Sequence, residues 1–198
     1  MAQTTDGVEQ RLTPAGSASW IAASALWGFF EATVFFVVPD VILSAVAVRS
    51  GFRGGLLAAV AAAGAAALGG LVIYLATVRG LIDAFALFDR LPAISAGMIE
   101  DVRTEFASPG WPLVMLQGSF SGTPYKLYAA SAAQAGLPPL SFLLWSIPVR
   151  LVRFVLIVGA AALARPLLQR WPGPRSALLP IIGLWIAFYA VFWWRMPG

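Results

Sequence analysis

The sequence contains neither cysteine nor histidine, and among its thirteen basic residues only Lys126 is a lysine. Without cysteine there is no disulfide framework and no thiolate metal site, and redox chemistry gives no clue to compartment. The lack of histidine removes imidazole metal ligands, histidine acid–base catalysis and the usual catalytic triads together. These two absences predict no bound metal and no cofactor. Charge is also scarce: 11% of the 198 residues are charged, against 60% apolar. Such a chain cannot cover a globular domain with a water-facing surface, so its solvent is predicted to be lipid. The length suits about four to six crossing or dipping segments at roughly 20 residues per span, in one domain. The net charge of +4 is spread along apolar stretches rather than gathered on one face, which speaks against nucleic acid as a partner.

Along the chain, residues 1–14 carry Asp6, Glu9 and Arg11 and read as a soluble tail, without the basic start of a cleavable signal. Residues 15–198 read as a single membrane domain. Its first segment, 15–54, is apolar but is interrupted by Glu31 and by the pair Pro39 and Asp40. A carboxylate at membrane depth costs about 2.5 kcal/mol or more, and proline removes a backbone donor, so the segment is expected to be broken and re-entrant. Residues 55–78 form a clean span with Gly64, Gly69 and Gly70 for close packing. Residues 79–110 hold Asp83, Asp89, Arg90, Glu100, Asp101, Arg103 and Glu105 and are expected to lie on the membrane as an amphipathic connection. A second broken segment, 111–137, carries Gly118, Gly122, Pro124, Lys126 and Gln134. The span 138–164 includes Arg150 and Arg153; Arg165, Arg170 and Arg175 flank a proline-rich link. A last span over 177–195 ends on the interfacial anchor Trp193, Trp194 and Arg195.

If both broken segments enter and leave by one face, Arg49, Arg53 and the 165–175 link fall on the cytoplasmic side, and the acid-rich connection falls outside. The positive-inside rule is then met at every turn, with the N-terminus cytoplasmic. The same layout inverts the two halves relative to one another, the plan of alternating-access transporters. Weak internal support comes from two matching intervals: Gly51 follows Pro39 by twelve residues, and Gly136 follows Pro124 by twelve. Five ionisable residues fall within the apolar segments, Glu31 and Asp40 in the first half and Lys126, Arg150 and Arg153 in the second. Arg150 and Arg153 are three apart, share a helix face and can grip one phosphate. Lys126 can add a point charge near freed amides, and the carboxylates can carry protons.

Plainer readings stand beside these. The two arginines could snorkel to the interface, the carboxylates could serve only as their structural partners, and the prolines could be kinks.

Certain stretches resemble the DedA superfamily, also called the VTT or SNARE-associated Golgi protein family, and within it the small bacterial YqaA-like branch. In the first half, Phe29 to Asp40 sets a glutamate and a phenylalanine-rich stretch before a proline and an acid. In the second, Phe120, Pro124, Tyr125 and Lys126 resemble the family's hairpin tip, and Ser146, Arg150, Arg153 and Phe154 its following arginine-rich helix. The likeness covers about residues 27 to 165. It has one proline where that branch usually has two, and Ser121 and Gly122 where a further proline motif is common.

The resemblance implies an all-α integral membrane protein with two facing re-entrant hairpins, each followed by a transmembrane helix, plus a C-terminal transmembrane helix. It also implies movement of phospholipid or undecaprenyl phosphate in a bacterial inner membrane. Carried over, Glu31 and Asp40 are the acidic hairpin positions linked to protons. Lys126, Arg150 and Arg153 are the phosphate-binding bases, and Pro39, Gly122 and Pro124 mark the tips. The expected partners are anionic lipids and protons; a homo-oligomer is compatible with the sequence, which does not set the oligomeric state. Two competing classes are an assembly factor, in which the charges are internal glue, and a membrane hydrolase using Ser119 or Ser121 with Lys126 as base.

Overall fold

The computed structural model describes residues 14–89, 91, 94–168, 170 and 176–195. Of the features read from the sequence, nearly all of the 1–14 tail, together with Arg90 and Arg175, lies outside them. The described residues are helical, with α1 over Pro14–Thr33, α2 over Asp40–Val78, α3 over Ala84–Phe88 and α4 over Ala96–Phe106. There follow α5 over Trp111–Ser121, α6 over Tyr125–Gln134, α7 over Pro139–Leu168 and α8 over Leu179–Arg195, the last preceded by a short 3-10 turn at Ser176–Leu178. Two helices, α2 and α7, are long and apolar enough to cross a membrane, and the whole fits a helical membrane protein.

Local chemistry sets the breaks. The amides of Val34 and Phe35 both close on the Phe30 carbonyl, ending α1, and the chain stays irregular until Pro39 caps α2. A residue before proline is pushed out of the helical region, and a branched and aromatic run precedes this one. Gly51 then interrupts α2 with φ 74° and ψ −176°, which divides it into a short arm, 40–50, and a long arm, 52–78. The second half repeats the pattern. Pro124 caps α6, and Gly136, at φ 67°, ends it with the Leu137 amide donating to the Ala132 carbonyl, before Pro139 opens α7. At both glycines a side chain would meet the steric penalty of the left-handed region.

The long arm of α2 and α7 run antiparallel through the centre: Gly51 faces Arg165, Gly55 faces Val158, and Tyr74 stacks on Phe142. α1 runs alongside the long arm in the same direction, with Gly28 against Ala62 and Phe29 against Gly69. The short arm folds back on the long arm, where Ala47 meets Gly55, so α1 and the short arm form a helix–break–helix unit. Two apolar clusters result. One gathers Tyr74, Phe88, Phe106, Trp111, Leu127 and Phe142. The other gathers Leu43, Val46, Ala59, Phe154, Val158 and Ile181.

Large apolar side chains also face outward: Leu57, Val60, Leu68 and Val72 on α2, and Leu140, Leu144, Val152, Leu156 and Leu163 on α7. Surface of this extent suits hydrocarbon better than water. The long arm has length to spare, since its 27 positions rise about 40 Å against roughly 30 Å of bilayer core. α8, with the turn before it, covers the range 177–195, and its 17 residues rise about 25 Å. In the connection over 79–110 the apolar face of α4 packs on protein. Ile99, Val102 and Phe106 on α4 are buried in the first cluster, Phe106 stacks on Tyr128, and Arg103 donates to the Gln134 side chain at 2.7 Å. A stripe at i, i+3, i+7 needs an apolar partner, and the second half supplies it.

Close approach of α1 to α2 rests on Gly28, where a Cβ would run into the backbone carbonyl of Ala62. Gly28→Ala is expected to destabilise the fold by about 1–3 kcal/mol, as overpacking against a rigid backbone does. Gly64→Ala, whose Cβ would meet nothing within 4 Å, should be neutral or stabilising. Thermal melting of both purified variants against wild type measures the difference.

Candidate functional site

The breaks bring the five charges together in one layer between the two apolar clusters, four of them buried and Arg153 partly exposed. Along α7, Phe142 and Val149 belong to one cluster and Phe154 and Val158 to the other, and Arg150 and Arg153 lie between them. Arg150 forms a buried ion pair with Glu31 near the end of α1, and its guanidinium lies over the rings of Tyr125, at 4.4 Å, and Phe154, at 5.3 Å. Arg153 donates through Nε to Asp40 at 2.7 Å and through Nη1 to the Ser119 carbonyl of α5. Asp40 is fully buried in the first turn of α2. Among the described residues its Oδ1 has no hydrogen-bond partner, nor has Arg150 Nε.

Lys126 stands apart from both pairs. Its ammonium donates to the Phe35 carbonyl at 2.9 Å and sits 4.1 Å from the centre of the Phe36 ring. It therefore serves the irregular backbone of the first tip, which is satisfied by side chains from three directions. Trp27 donates to the Val37 carbonyl at 2.9 Å, and the Val38 amide donates to the Tyr189 hydroxyl at 2.8 Å. Non-helical backbone at membrane depth is tolerated only when its polar groups are met in this way. The second tip turns at Gly122, in the left-handed region at φ 90°, and Pro124. Pro39, Gly122 and Pro124 thus all stand at helix breaks.

A cavity of about 490 Å³ opens onto this layer, walled by both tips together with Glu31, Lys126, Arg150 and Arg153. Three cations and two carboxylates leave one excess positive charge in or beside it. An anion could be held there through paired guanidinium donors, which stay protonated. Ser119 and Ser121 also border the space, yet their hydroxyls are engaged by the Met115 and Gly118 carbonyls, at 3.0 and 3.4 Å, and Ser121 also meets Thr123 at 3.0 Å.

Several lining residues escaped the reading of the sequence. Phe188, Tyr189 and Phe192 of α8 form one wall, and α8 is tied down by Trp185, whose Nε1 donates to Ser44 Oγ at 3.0 Å. Positions 185, 188, 189 and 192 follow helical spacing, so this aromatic face was available in the sequence. Tyr125 is placed by its hydroxyl, which donates to Ser146 Oγ at 2.7 Å, leaving its ring against Arg150. Comparison with known protein families, curated proteins and solved structures found no match.

Removing one member of a buried pair leaves the other charged and desolvated, at a cost of about 3–5 kcal/mol. Arg150→Met alone is therefore expected to destabilise strongly, whereas the double variant Glu31→Leu with Arg150→Met should recover most of the loss. Thermal melts of the two single variants and the double variant form the cycle that measures the coupling.

Proposed function

We propose that this chain is an integral protein of a bacterial inner membrane that moves an anionic lipid between leaflets. The lipid is a polyprenyl phosphate such as undecaprenyl phosphate, or a phospholipid, as the resemblance to the DedA superfamily implies. The observation that carries the proposal is the cavity between the two tips, walled by apolar and aromatic side chains and by Lys126, Arg150, Arg153 and Glu31, with Asp40 paired to Arg153 beside it. Lys126, Arg150 and Arg153 hold the phosphate, and Glu31 and Asp40 exchange protons. Both helix–break–helix units are re-entrant on this reading, each followed by a crossing helix, with the N-terminus in the cytoplasm.

The ion pairs set the order of events. In the structure each arginine is engaged by a carboxylate, so a phosphate must replace that carboxylate to be held. Protonation of Glu31 or Asp40 breaks the pair and releases the arginine to the anion. Departure of the phosphate lets the carboxylate ionise and close again. Charge in the cavity stays near neutral throughout, which low-dielectric surroundings demand. Transport therefore runs with proton movement.

The test is lipid movement in proteoliposomes, read by leaflet accessibility of a polyprenyl phosphate and of common phospholipids across a pH gradient. Wild type is expected to move at least one of them. Arg150→Gln should reduce the rate about tenfold or more, the worth of a hydrogen bond to a charged group. Glu31→Gln should abolish the dependence on the pH gradient. Only variants that match wild type in size-exclusion and tryptophan fluorescence are compared. If folded wild-type protein moves no lipid, transport fails as the function and an assembly role for the charged layer becomes the better account.

A further inference from the structure

The end of the molecule around Gly51 carries a second basic site that the central cavity does not use. Arg49 and Arg53 flank the break in α2, and Arg165 reaches back from α7 over the same turn. Its Nη2 donates to the Arg49 carbonyl at 3.4 Å, Nη1 lies 2.9 Å from where a Cβ of Gly51 would stand, and the buried Nε has no partner among the described residues. Arg49 lies over the Trp20 ring at 5.2 Å. Among the described residues, none of these three arginines forms an ion pair with a carboxylate. Arg165 also edges an open groove of about 630 Å³, bordered by Phe52, Gly159, Ala162 and Leu163. Phe52 and Leu163 point outward on the apolar surface, the latter 85% exposed.

A guanidinium without a carboxylate, at the end of an apolar groove on an outward face, matches one kind of ligand in its surroundings. Its donors suit a phosphate, and its groove suits a hydrocarbon chain. Arg150 and Arg165 are fifteen positions apart on α7, about 22 Å of rise, so this is a different place from the tip cavity. The acids of the 79–110 connection lie at the far end of the long arm, about 40 Å away. The unpaired arginines are thus concentrated where the positive-inside rule puts the cytoplasmic leaflet, the one rich in anionic lipid. We infer that the groove at Gly51 and Arg165 seats a resident anionic phospholipid, its phosphate on Arg165 and one acyl chain along Phe52, Gly159 and Leu163. The inference rests on the membrane setting and not on lipid transport.

The test places the full-length protein in nanodiscs doped with a photoactivatable phosphatidylglycerol and maps the adducts by peptide mass spectrometry. Wild type is expected to be labelled within residues 159–166, and unlabelled phosphatidylglycerol should compete while phosphatidylcholine and inorganic phosphate should not. Arg165→Gln should lower this labelling about fivefold, the effect of one basic residue at an anionic surface. Gly159→Leu projects a side chain into the groove from a position where an added Cβ meets nothing within 4 Å, and should lower labelling as much in protein whose melting matches wild type. Equal labelling of wild type and Gly159→Leu, or equal competition by phosphatidylcholine, overturns the site; competition by inorganic phosphate alone overturns its assignment to a lipid. The readout is local to 159–166, so it stands or falls apart from any transport result.

Discussion

The pairing of two arginines on α7 with two carboxylates from the first half is the constraint on which the architecture turns. Glu31 and Asp40 belong to the first helix–break–helix unit, and Arg150 and Arg153 follow the second. Neither half can bury its own charges alone, because an isolated carboxylate or guanidinium in a low-dielectric interior costs several kcal/mol. The two halves solve this jointly. Arg153 adds a tie within the second half by donating to the Ser119 carbonyl, and Lys126 adds one to the first tip through Phe35. The ion pairs thus fix the register of α7 against α1 and the short arm. If these helices lie in lipid, whose tails are as apolar as leucine, apolar burial by itself would give little preference for one helix register over another.

The backbone of the two halves is repeated while their chemistry is not. Pro39 and Pro124 each cap a short helix, and Gly51 and Gly136 each end the short stretch that follows in the left-handed region. After each comes a long apolar helix, and these two helices cross the core antiparallel. Within that shared plan one half carries the acids and the other the bases. A symmetric arrangement of charge would set like against like at the centre, which costs free energy in proportion to how dry the site is. Asymmetric charge on a repeated backbone avoids this.

Much of this was legible in the sequence. Prolines and glycines at matching intervals named the breaks, because proline and left-handed glycine act locally and do not wait for tertiary context. The charged residues were conspicuous for the same kind of reason: an ionisable group inside an apolar run needs a partner wherever the fold puts it. Which base would meet which acid was not legible, since that depends on the crossing of α1 with α7. Nor was the separate position of Lys126, whose acceptor is a backbone carbonyl that exists only because α1 ends early. The connection over 79–110 has an amphipathic stripe, and amphipathicity alone does not say whether lipid or protein takes the apolar face. Here Phe106 and Tyr128 decide it.

What the pairs leave over bears on whether the charged layer is glue alone or also a site. A buried polar atom without a partner costs about 1–3 kcal/mol. Among the described residues this network leaves Asp40 Oδ1 and Arg150 Nε without partners, and it adds a third cation, Lys126, held by the Phe35 carbonyl and the Phe36 ring. It also borders an open space rather than a packed wall. A network that is paired yet incompletely satisfied beside a cavity can be rearranged at moderate cost, since a proton on one carboxylate and an anion on the released arginine replace each other's charge. The same groups can then hold the resting structure and admit a phosphate, provided the two events are coupled.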